Sequence, residues 1–249
     1  MAILGIIPAR FASTRLPGKP LLSDTGTPLI LHVLAAATRA TRLSRIIVAT
    51  DDLRIYDTVV SAGFEAMMTR DDHPTGTDRV AEVAAAIPDA EIVVNLQGDE
   101  PEVAGATLDL VAQLLIDDPT TPMATIATPI RDPSIYTDPA CVKVVCSTAG
   151  RALYFSRSPI PYIRDDGFDS SANVPQAHLH LGLYAYRRDF LLGLAALPPS
   201  RLERLEKLEQ LRVLEAGYPI AVGFVDEPTV GIDTPEDYRR FVDRWRETH

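Results

Sequence analysis

The sequence predicts an α/β protein with a mostly parallel central sheet. Short apolar segments alternate with helical patterns through the first hundred of the 249 residues. The apolar segments lack polar alternation, as expected of strands buried on both faces. Apolar residues make up 46% of the chain and charged residues 23%, which is typical of a globular protein. We expect a single α/β domain over residues 1–249, with a β-rich part at about residues 130–190.

The first half reads as three strands and three helices. Strands are predicted at residues 3–8, 46–49 and 92–94, because each is a short apolar run bounded by polar or turn residues. Helices are predicted at 29–40, 53–62 and 77–87. Thr27 and Pro28 have the pattern of an N-cap followed by an N1 proline, and Gly63 and Pro88 mark helix ends.

The second half is more mixed. Strands are predicted at residues 125–130, 142–146, 181–186 and 220–225, and a polar surface loop at 164–175. One continuous helix is expected from Ser200 to Gly217, since Ser200 and Glu203 have capping-box spacing. Its apolar stripe consists of Leu202, Leu205, Leu208 and Leu211. A last helix begins at Thr234 and Pro235.

Charge and hydropathy exclude several classes of function. The net charge is −10 and the isoelectric point is near 4.9, so a general nucleic-acid binder is not expected. No apolar run approaches the roughly 20 residues of a membrane span. The first residues lack the basic segment of a signal peptide, and the two cysteines, Cys141 and Cys146, favour buried thiols over a disulfide framework. We therefore expect a soluble cytoplasmic protein.

A basic loop follows the first predicted strand, where α/β sheets bind phosphates. Arg10, Arg15 and Lys19 place three positive charges within ten residues. Ser13 adds a hydroxyl, and Gly18 permits a tight backbone turn. The loop matches neither the dinucleotide fingerprint nor the P-loop. The alternative interpretation is a solvated loop with incidental charges.

Two aspartates lie beside predicted elements. Asp99 follows the third strand and Asp233 precedes the last helix, so both could belong to one polar site if the fold brings them together. Alone, Asp99 could be a turn residue and Asp233 a helix-capping residue. Asp51, Asp52 and Glu100 are weaker candidates for the same site. For these three residues a structural role is the preferred interpretation.

Eight stretches, in order along nearly the whole chain, resemble the cytidylyltransferases that make CMP-3-deoxy-manno-octulosonate, the CMP-Kdo synthetases. The first is PARFASTRLPGKP at 8–20. The others are VATDD at 48–52, HPTGTDR at 73–79, VNLQGDEP at 94–101, ALYFSRSPIP at 152–161, HLGLYAYR at 180–187, LEKLEQLR at 205–212 and GIDTPED at 231–237. The resemblance implies a Rossmann-like nucleotidyltransferase fold, similar to nucleotide-diphospho-sugar transferases, with a β-rich dimerisation and acceptor part.

The resemblance also implies roles for individual residues. It makes Asp99 and Asp233 ligands of Mg²⁺, and it assigns catalysis to Arg10, Arg15, Lys19 and Asp99. The residues implied in CTP binding are Ala9, Arg10, Ser13, Arg15, Lys19, Arg79 and Gln97. The residues implied in binding Kdo, the sugar acid, are Arg157, His180, Tyr184, Glu209 and Gln210.

The expected reaction is attack of the Kdo 2-hydroxyl on the α-phosphate of CTP, giving CMP-Kdo and diphosphate for synthesis of the lipopolysaccharide inner core. The resemblance further implies a homodimer.

Two alternatives for the function stay open. One is a cytidylyltransferase for a related 2-keto sugar acid, such as amino-Kdo or a sialic acid; the other is a glycosyltransferase of similar fold, although no DxD motif follows an early strand. Asp78 is a doubtful contact, since this block reads GTDR where the family has GTER.

Overall fold

The chain divides into two compact units. The computed structural model describes residues 1–12, 16–164, 167–170, 172, 174–228 and 231–248. Unit 1 comprises Met1–Asp109 with Thr229–His249, and unit 2 comprises Leu110–Pro228. That the whole chain is a single domain stays a prediction.

Unit 1 contains a parallel sheet. Its strands are β1 (Ala2–Ala9), β2 (Arg45–Thr50), β3 (Glu65–Met68) and β4 (Ala90–Asn95). They lie in the order β3-β2-β1-β4, and every neighbouring pair is parallel. The three strands predicted here are confirmed. Strand β3 is not predicted from the sequence, because a four-residue segment with a charged first residue has little periodic signal.

Helices connect these strands: α1 (Leu29–Ala37), α2 (Leu53–Ser61) and α3 (Gly76–Ala85). All three predicted helices are confirmed. Helix α1 begins at Leu29, as predicted, but its N-cap is Pro28 and not Thr27. Asp52 caps α2 by accepting a hydrogen bond from the backbone N–H of Arg54. Asp52, one of the weaker site candidates, therefore has a structural role. Asp78, the doubtful contact, also has one, because it forms a capping box with Thr75 at α3.

The central strands of unit 1 are buried on both faces. Ile6 and Ile7 of β1 and Val93 and Val94 of β4 are all 0% exposed. A Cβ on Gly98, just after β4, would lie 2.7 Å from the carbonyl oxygen of Pro8 near the end of β1. Glycine at this position therefore lets the chain after β4 approach the carboxyl end of β1 closely.

Helix α4 (Gly105–Asp117) contains the boundary between the units. Unit 2 then comprises β5 (Met123–Pro129), α5 (Pro133–Thr137), β6 (Lys143–Cys146), β7 (Ala152–Ser156), β8 (His178–Arg187) and α6 (Arg188–Ala195). Strand β8 pairs antiparallel with both β5 and β6, and β6 pairs antiparallel with β7. The predicted β-rich stretch lies within this unit.

The single helix expected over residues 200–217 is wrong, because the chain breaks it in two. Helix α7 (Arg201–Glu206) ends at Lys207, which has the left-handed conformation with φ 56° and ψ 47°, and α8 (Gln210–Glu215) follows. The predicted capping box of Ser200 and Glu203 is confirmed. The predicted apolar stripe does not persist across the break, since Leu205 is 68% exposed whereas Leu211 is buried.

Strand β9 (Ile220–Phe224) pairs parallel with β5 and completes the pairings of unit 2. The last helix, α9 (Pro235–Thr248), returns to unit 1. Thr234 and Asp237 exchange hydrogen bonds at its start, as the sequence predicts. Both cysteines are free, as expected, but partly exposed rather than buried.

Within the described part of the chain, we find no helix that is both long enough and apolar enough to cross a membrane.

Candidate active site

The basic loop after β1 is closed by backbone geometry at Gly18. Its φ of 68° is left-handed, and its N–H donates to the carbonyl oxygen of Phe11 at 3.2 Å. A short 3-10 helix over Lys19–Leu21 follows at once. Glycine suits this turn because residues with a Cβ rarely adopt positive φ. The turn fixes the position from which the Lys19 side chain extends.

The ammonium of Lys19 lies between the two aspartates singled out in the sequence. Its Nζ is 2.7 Å from Asp99 Oδ2 and 3.5 Å from Asp233 Oδ1, and it donates to the carbonyl oxygen of Ile232 at 2.8 Å. The fold therefore brings together residues from three distant parts of the chain around one positive charge.

Backbone hydrogen bonds hold together the segments that contain Asp99 and Asp233. The N–H of Ile232 donates to the carbonyl oxygen of Asp99 at 2.9 Å. The N–H of Asp233 donates to Asp237 Oδ2 at 3.2 Å, which ties this segment to the start of α9. Asp99 is 27% exposed and Asp233 48% exposed, so both carboxylates remain accessible to a ligand.

This cluster, formed by Lys19, Asp99, Ile232 and Asp233, offers three oxygen-bearing groups to a cation. Two carboxylates and a carbonyl are the hard donors that Mg²⁺ prefers, and Mg²⁺ is commonly held by one or two carboxylates together with substrate phosphates and water. Among the residues that the structure describes, no group of three or more His, Cys, Asp or Glu side chains could hold a metal ion. The donor set therefore fits a metal ion that arrives with a phosphate ligand better than one held by protein alone.

Arg10 is held at the end of β1 by the chain before α3. Its guanidinium donates to the carbonyl oxygen of His73 at 2.8 Å. The imidazole of His73 in turn contacts the carboxylate of Glu82 on α3, which also accepts the N–H of Arg70. These contacts fix the guanidinium at the carboxyl edge of the sheet.

The remaining nucleotide-site candidates lie in different environments. Ala9 is buried as the last residue of β1. Gln97 is partly exposed beyond β4, in the segment that leads to Asp99. Arg15 and Ser13 lie outside the described residues, so their implied roles stay predictions.

Arg79 lies in the interior of unit 1. Its side chain is 0% exposed and pairs with Asp51 Oδ2 at 2.9 Å, and it also contacts the hydroxyl of Thr69. Its Nε atom has no hydrogen-bond partner among the described residues. The structural role expected for Asp51 follows from this ion pair, whereas a direct contact of Arg79 with a nucleotide stays a prediction.

In unit 2, Arg157 is anchored to the end of α7. Its Nε donates to the carbonyl oxygen of Glu206 at 2.8 Å, and a terminal nitrogen donates to that of Pro139 at 3.0 Å. The Glu206 carboxylate accepts the backbone N–H of Arg157 and the hydroxyl of Ser156. The break at Lys207 contributes to this arrangement, since in a continuous helix the carbonyl of Glu206 would accept an N–H four residues later.

His180 and Tyr184 lie side by side on β8, with ring centroids 5.3 Å apart. Burial lowers the pKa of His180 to about 3, so its imidazole is neutral at pH 7. Burial raises the pKa of Tyr184, and Tyr186 and the Glu209 carboxylate raise it further, so the phenol keeps its proton. These side chains present neutral hydrogen-bonding groups next to a carboxylate.

Glu209 and Gln210 form the start of α8, directly after the helix break. Gln210 is only 4% exposed, and its Nε2 has no hydrogen-bond partner among the residues described. An amide donor buried without a partner is costly to a fold, so this group is a good candidate to bind a polar ligand. The helical pattern alone favours a solvated helix face for Glu209 and Gln210, and this interpretation is wrong for Gln210 because its side chain is buried.

Sequence reasoning missed three residues of these clusters. His73 and Glu206 lie inside the quoted motifs, but nothing in the pattern separates them from their neighbours. Thr125 is one of two threonines in a predicted strand, and its hydrogen bond to His180 appears only in three dimensions.

Comparisons with known proteins agree with this architecture. Residues 4–222 match the family described as Cytidylyltransferase. The 3-deoxy-manno-octulosonate cytidylyltransferase of Syntrophotalea carbinolica is 50% identical over 243 residues, covering 96% of this chain and 97% of the relative. That of Geobacter sulfurreducens is 46% identical over 251 residues, covering 98% and 99%.

Solved structures give the same result. A CMP:2-keto-3-deoxy-manno-octonic acid synthetase complexed with CTP superposes with a TM-score of 0.93 at 41% identity, covering 100% of both chains. A 4-diphosphocytidyl-2C-methyl-D-erythritol synthase from Anaerococcus prevotii is 15% identical with a TM-score of 0.62, so it shares the fold alone.

The parallel sheet with a basic loop and paired carboxylates, together with these neighbours, defines a nucleotidyltransferase fold. Within that class, the chain belongs to the 3-deoxy-manno-octulosonate cytidylyltransferase family.

Proposed function

We propose that this chain transfers the cytidylyl group of CTP to 3-deoxy-D-manno-octulosonate, giving CMP-Kdo and diphosphate. In this reaction the 2-hydroxyl oxygen of the sugar acid forms a bond to the α-phosphorus, and the bond from that phosphorus to the diphosphate oxygen breaks. The hydroxyl proton passes to water. Family membership supports the choice of substrates. The observation that carries the proposal is the convergence of Lys19, Asp99 and Asp233 beside the end of the sheet.

In this proposal, binding of the nucleotide depends on charged side chains. Lys19 and Arg10 bind phosphate oxygens of CTP and stabilise the negative charge that develops during transfer, and Arg15 does the same from the loop. Mg²⁺ bound with the nucleotide would be held by Asp99 and Asp233 and would neutralise charge on the phosphates. Ala9, Ser13 and Gln97 complete the proposed CTP contacts, while Arg79 supports the nucleotide site from the interior of unit 1.

In this proposal, the residues that bind the sugar acid belong to unit 2. The guanidinium of Arg157 has terminal N–H groups left after its two backbone contacts, and these bind the carboxylate of Kdo. His180, Tyr184, Glu209 and Gln210 bind its hydroxyl groups. Neutral His180 and Tyr184 suit hydroxyls better than they suit a second charge.

Diphosphate release tests the reaction. The full chain is incubated with Mg²⁺ and each of CTP, UTP, ATP and GTP, with and without Kdo. We expect release only when CTP and Kdo are both present. Release with CTP and another 2-keto sugar acid, but none with Kdo, would overturn the acceptor; no release with any pair would overturn the activity.

Substitution of Asp99 tests the site. We expect Asp99→Asn to lower kcat by about 10²–10³-fold at saturating substrates, the range seen when one electrostatic group of a reaction centre is removed. The exposed Asp89 provides a matched control, and Asp89→Asn should keep nearly normal turnover. Normal turnover of Asp99→Asn would contradict the assignment.

The finer features are part of the same proposal. Dependence on Mg²⁺ is tested by loss of turnover with a chelator and its return on adding the metal.

A homodimer is supported by exposed apolar side chains in unit 2, Leu153 and Tyr162, and is tested by sedimentation. Location in the cytoplasm and a role in the lipopolysaccharide inner core follow from the substrates; fractionation of cells and loss of the glycan on deleting the gene would test them.

A further inference from the structure

Strand β8 bulges beside β5. Ala127 pairs with His180 and Thr125 pairs with Tyr184, so an advance of two residues on β5 corresponds to four on β8. Gly182 lies within the bulge with φ 72°. In a regular strand, residues four apart would be about 14 Å apart. The bulge shortens this separation and brings the rings of His180 and Tyr184 into contact.

The bulge leaves the carbonyl oxygen of Leu183 facing Thr125. The hydroxyl of Thr125, which is 0% exposed, donates to this oxygen at 2.7 Å. The same hydroxyl oxygen lies 2.9 Å from Nε2 of His180. A hydroxyl has one proton, and a carbonyl can only accept. With its proton directed at Leu183, the hydroxyl of Thr125 accepts a hydrogen bond from His180.

This arrangement determines the tautomer of His180. Nε2 carries the proton and donates to Thr125, so Nδ1 carries the lone pair and can only accept. Burial keeps the ring neutral, with its pKa lowered to about 3. The ring of Phe155 packs edge-on against the imidazole at 4.9 Å, which further restricts its orientation. His180 is partly exposed, and Nδ1 is the ring nitrogen that Thr125 does not contact.

We infer that Thr125 is a positioning residue that makes His180 a hydrogen-bond acceptor for a hydroxyl group of the sugar-acid substrate. The inference rests on the proposed function for its substrate, and on the geometry of β5 and β8 for the tautomer. An acceptor nitrogen binds a donating hydroxyl and disfavours a carboxylate oxygen. Thr125 thus contributes to the selection of a polyhydroxylated substrate and to its orientation.

Nitrogen NMR of the ligand-free protein tests the tautomer. The chain is labelled with ¹⁵N-histidine, and His180→Phe identifies the His180 signals by their loss. We expect Nε2 to be protonated and Nδ1 unprotonated in the wild-type protein. Thr125→Val keeps the side-chain shape but removes the acceptor, so we expect its His180 signals to shift toward a mixture of tautomers. Protonation of Nδ1 in the wild type, or unchanged signals in Thr125→Val, would overturn the inference.

Thr128 provides a matched control on the same strand. It is 1% exposed, and its hydroxyl donates to the carbonyl oxygen of Asp226 at 3.2 Å. Thr128→Val therefore also removes a buried hydroxyl from β5. The His180 signals should be unchanged in Thr128→Val, and Thr125→Ser, which keeps a hydroxyl, should retain the wild-type tautomer.

Steady-state kinetics test the consequence for binding. We expect Thr125→Val to raise KM for Kdo about three- to tenfold, the range expected when one hydrogen bond is weakened. KM for CTP should change less than about twofold. An equal change in Thr128→Val would mean a structural effect and would overturn the role in binding. Absence of any turnover with Kdo in the wild type would refute the proposed function, whereas the NMR result tests the tautomer independently.

Discussion

At the scale of single residues, Lys19 contacts three groups of the candidate site. Its ammonium contacts both aspartates expected to hold a metal and the carbonyl between them. A positive charge in this position neutralises part of the charge of the acidic pair. It also opposes the approach of a second cation, since like charges repel. We therefore expect free metal to bind weakly until phosphates attract Lys19 away from the carboxylates.

Removal of the Lys19 charge tests this expectation. Lys19→Met keeps the length of the side chain and removes the ammonium, so Mn²⁺ without nucleotide should bind at least about tenfold more tightly. Electron paramagnetic resonance of free Mn²⁺ measures the affinity directly. Lys207→Met, a change in unit 2, should leave the affinity unchanged. Equal affinity in the wild type and Lys19→Met would contradict the role of Lys19.

At the scale of elements, two irregularities determine the arrangement of the residues proposed to bind the sugar acid. One is the bulge of β8 around Gly182, and the other is the break between α7 and α8 at Lys207. Both depend on one residue with positive φ. A regular strand would separate His180 from Tyr184. In a continuous helix, the carbonyl of Glu206 that holds Arg157 would accept a helix hydrogen bond instead.

Gly182 has no atom within 4 Å of the position of an added Cβ. Gly182→Ala therefore meets no clash, but alanine disfavours the left-handed conformation, and we expect a loss of about 1–2 kcal/mol in the free energy of unfolding. Urea denaturation measures it, and KM for Kdo should rise. Gly193→Ala in the exposed part of α6 is the control and should stabilise by about 0.5–1 kcal/mol. Equal stability of the two variants would contradict strain at the bulge.

Lys207 is the only non-glycine residue with positive φ in the described part of the chain. A left-handed residue with a Cβ costs about 1–2 kcal/mol, while glycine costs about 0.5–1 kcal/mol in chain entropy. We therefore expect Lys207→Gly to raise the free energy of unfolding by about 0.5 kcal/mol in urea. Lys207→Ala, which keeps the Cβ, should not gain stability. A gain in Lys207→Ala equal to that in Lys207→Gly would attribute the effect to the lost charge.

At the scale of the whole molecule, histidines whose pKa values are lowered by folding make stability depend on pH. The pKa of His180 falls from 6.5 to about 3 on folding, and burial lowers the pKa of His178 as well. Below pH 6.5 the unfolded chain binds protons that the folded chain does not, so stability falls as the pH falls. Hydrogen bonds from threonines lower the pKa values of Asp118 and Asp237, and their contribution is lost only at more acidic pH, below about 4.

Urea denaturation at pH 7 and pH 5 measures this dependence. We expect His180 to account for a loss of about 1 kcal/mol between these values, less than a full one-proton linkage because the ring is partly exposed. His180→Gln should therefore show a smaller difference between the two pH values, whatever its absolute stability. An identical pH dependence in the wild type and the variant would show that His180 titrates alike in both states.

The sequence by itself determined the fold class and most elements of unit 1. Strands such as β1 and β4 are apolar throughout because both faces are buried, and helices such as α3 and α9 carry local caps, so each is encoded by neighbouring residues. The identities of Lys19, Asp99 and Asp233 as site candidates also came from motifs placed at the ends of predicted elements.

Only the tertiary structure decided how these residues meet. Lys19 contacts Asp99 and Asp233 because the chain after β4 and the segment before α9 are joined by backbone hydrogen bonds, a long-range pairing that no local pattern reports. The break at Lys207 contradicts its own local pattern, and the contact of Thr125 with His180 depends on a bulge in a different strand. Local propensity specifies elements, whereas interactions between distant segments determine the geometry of the site.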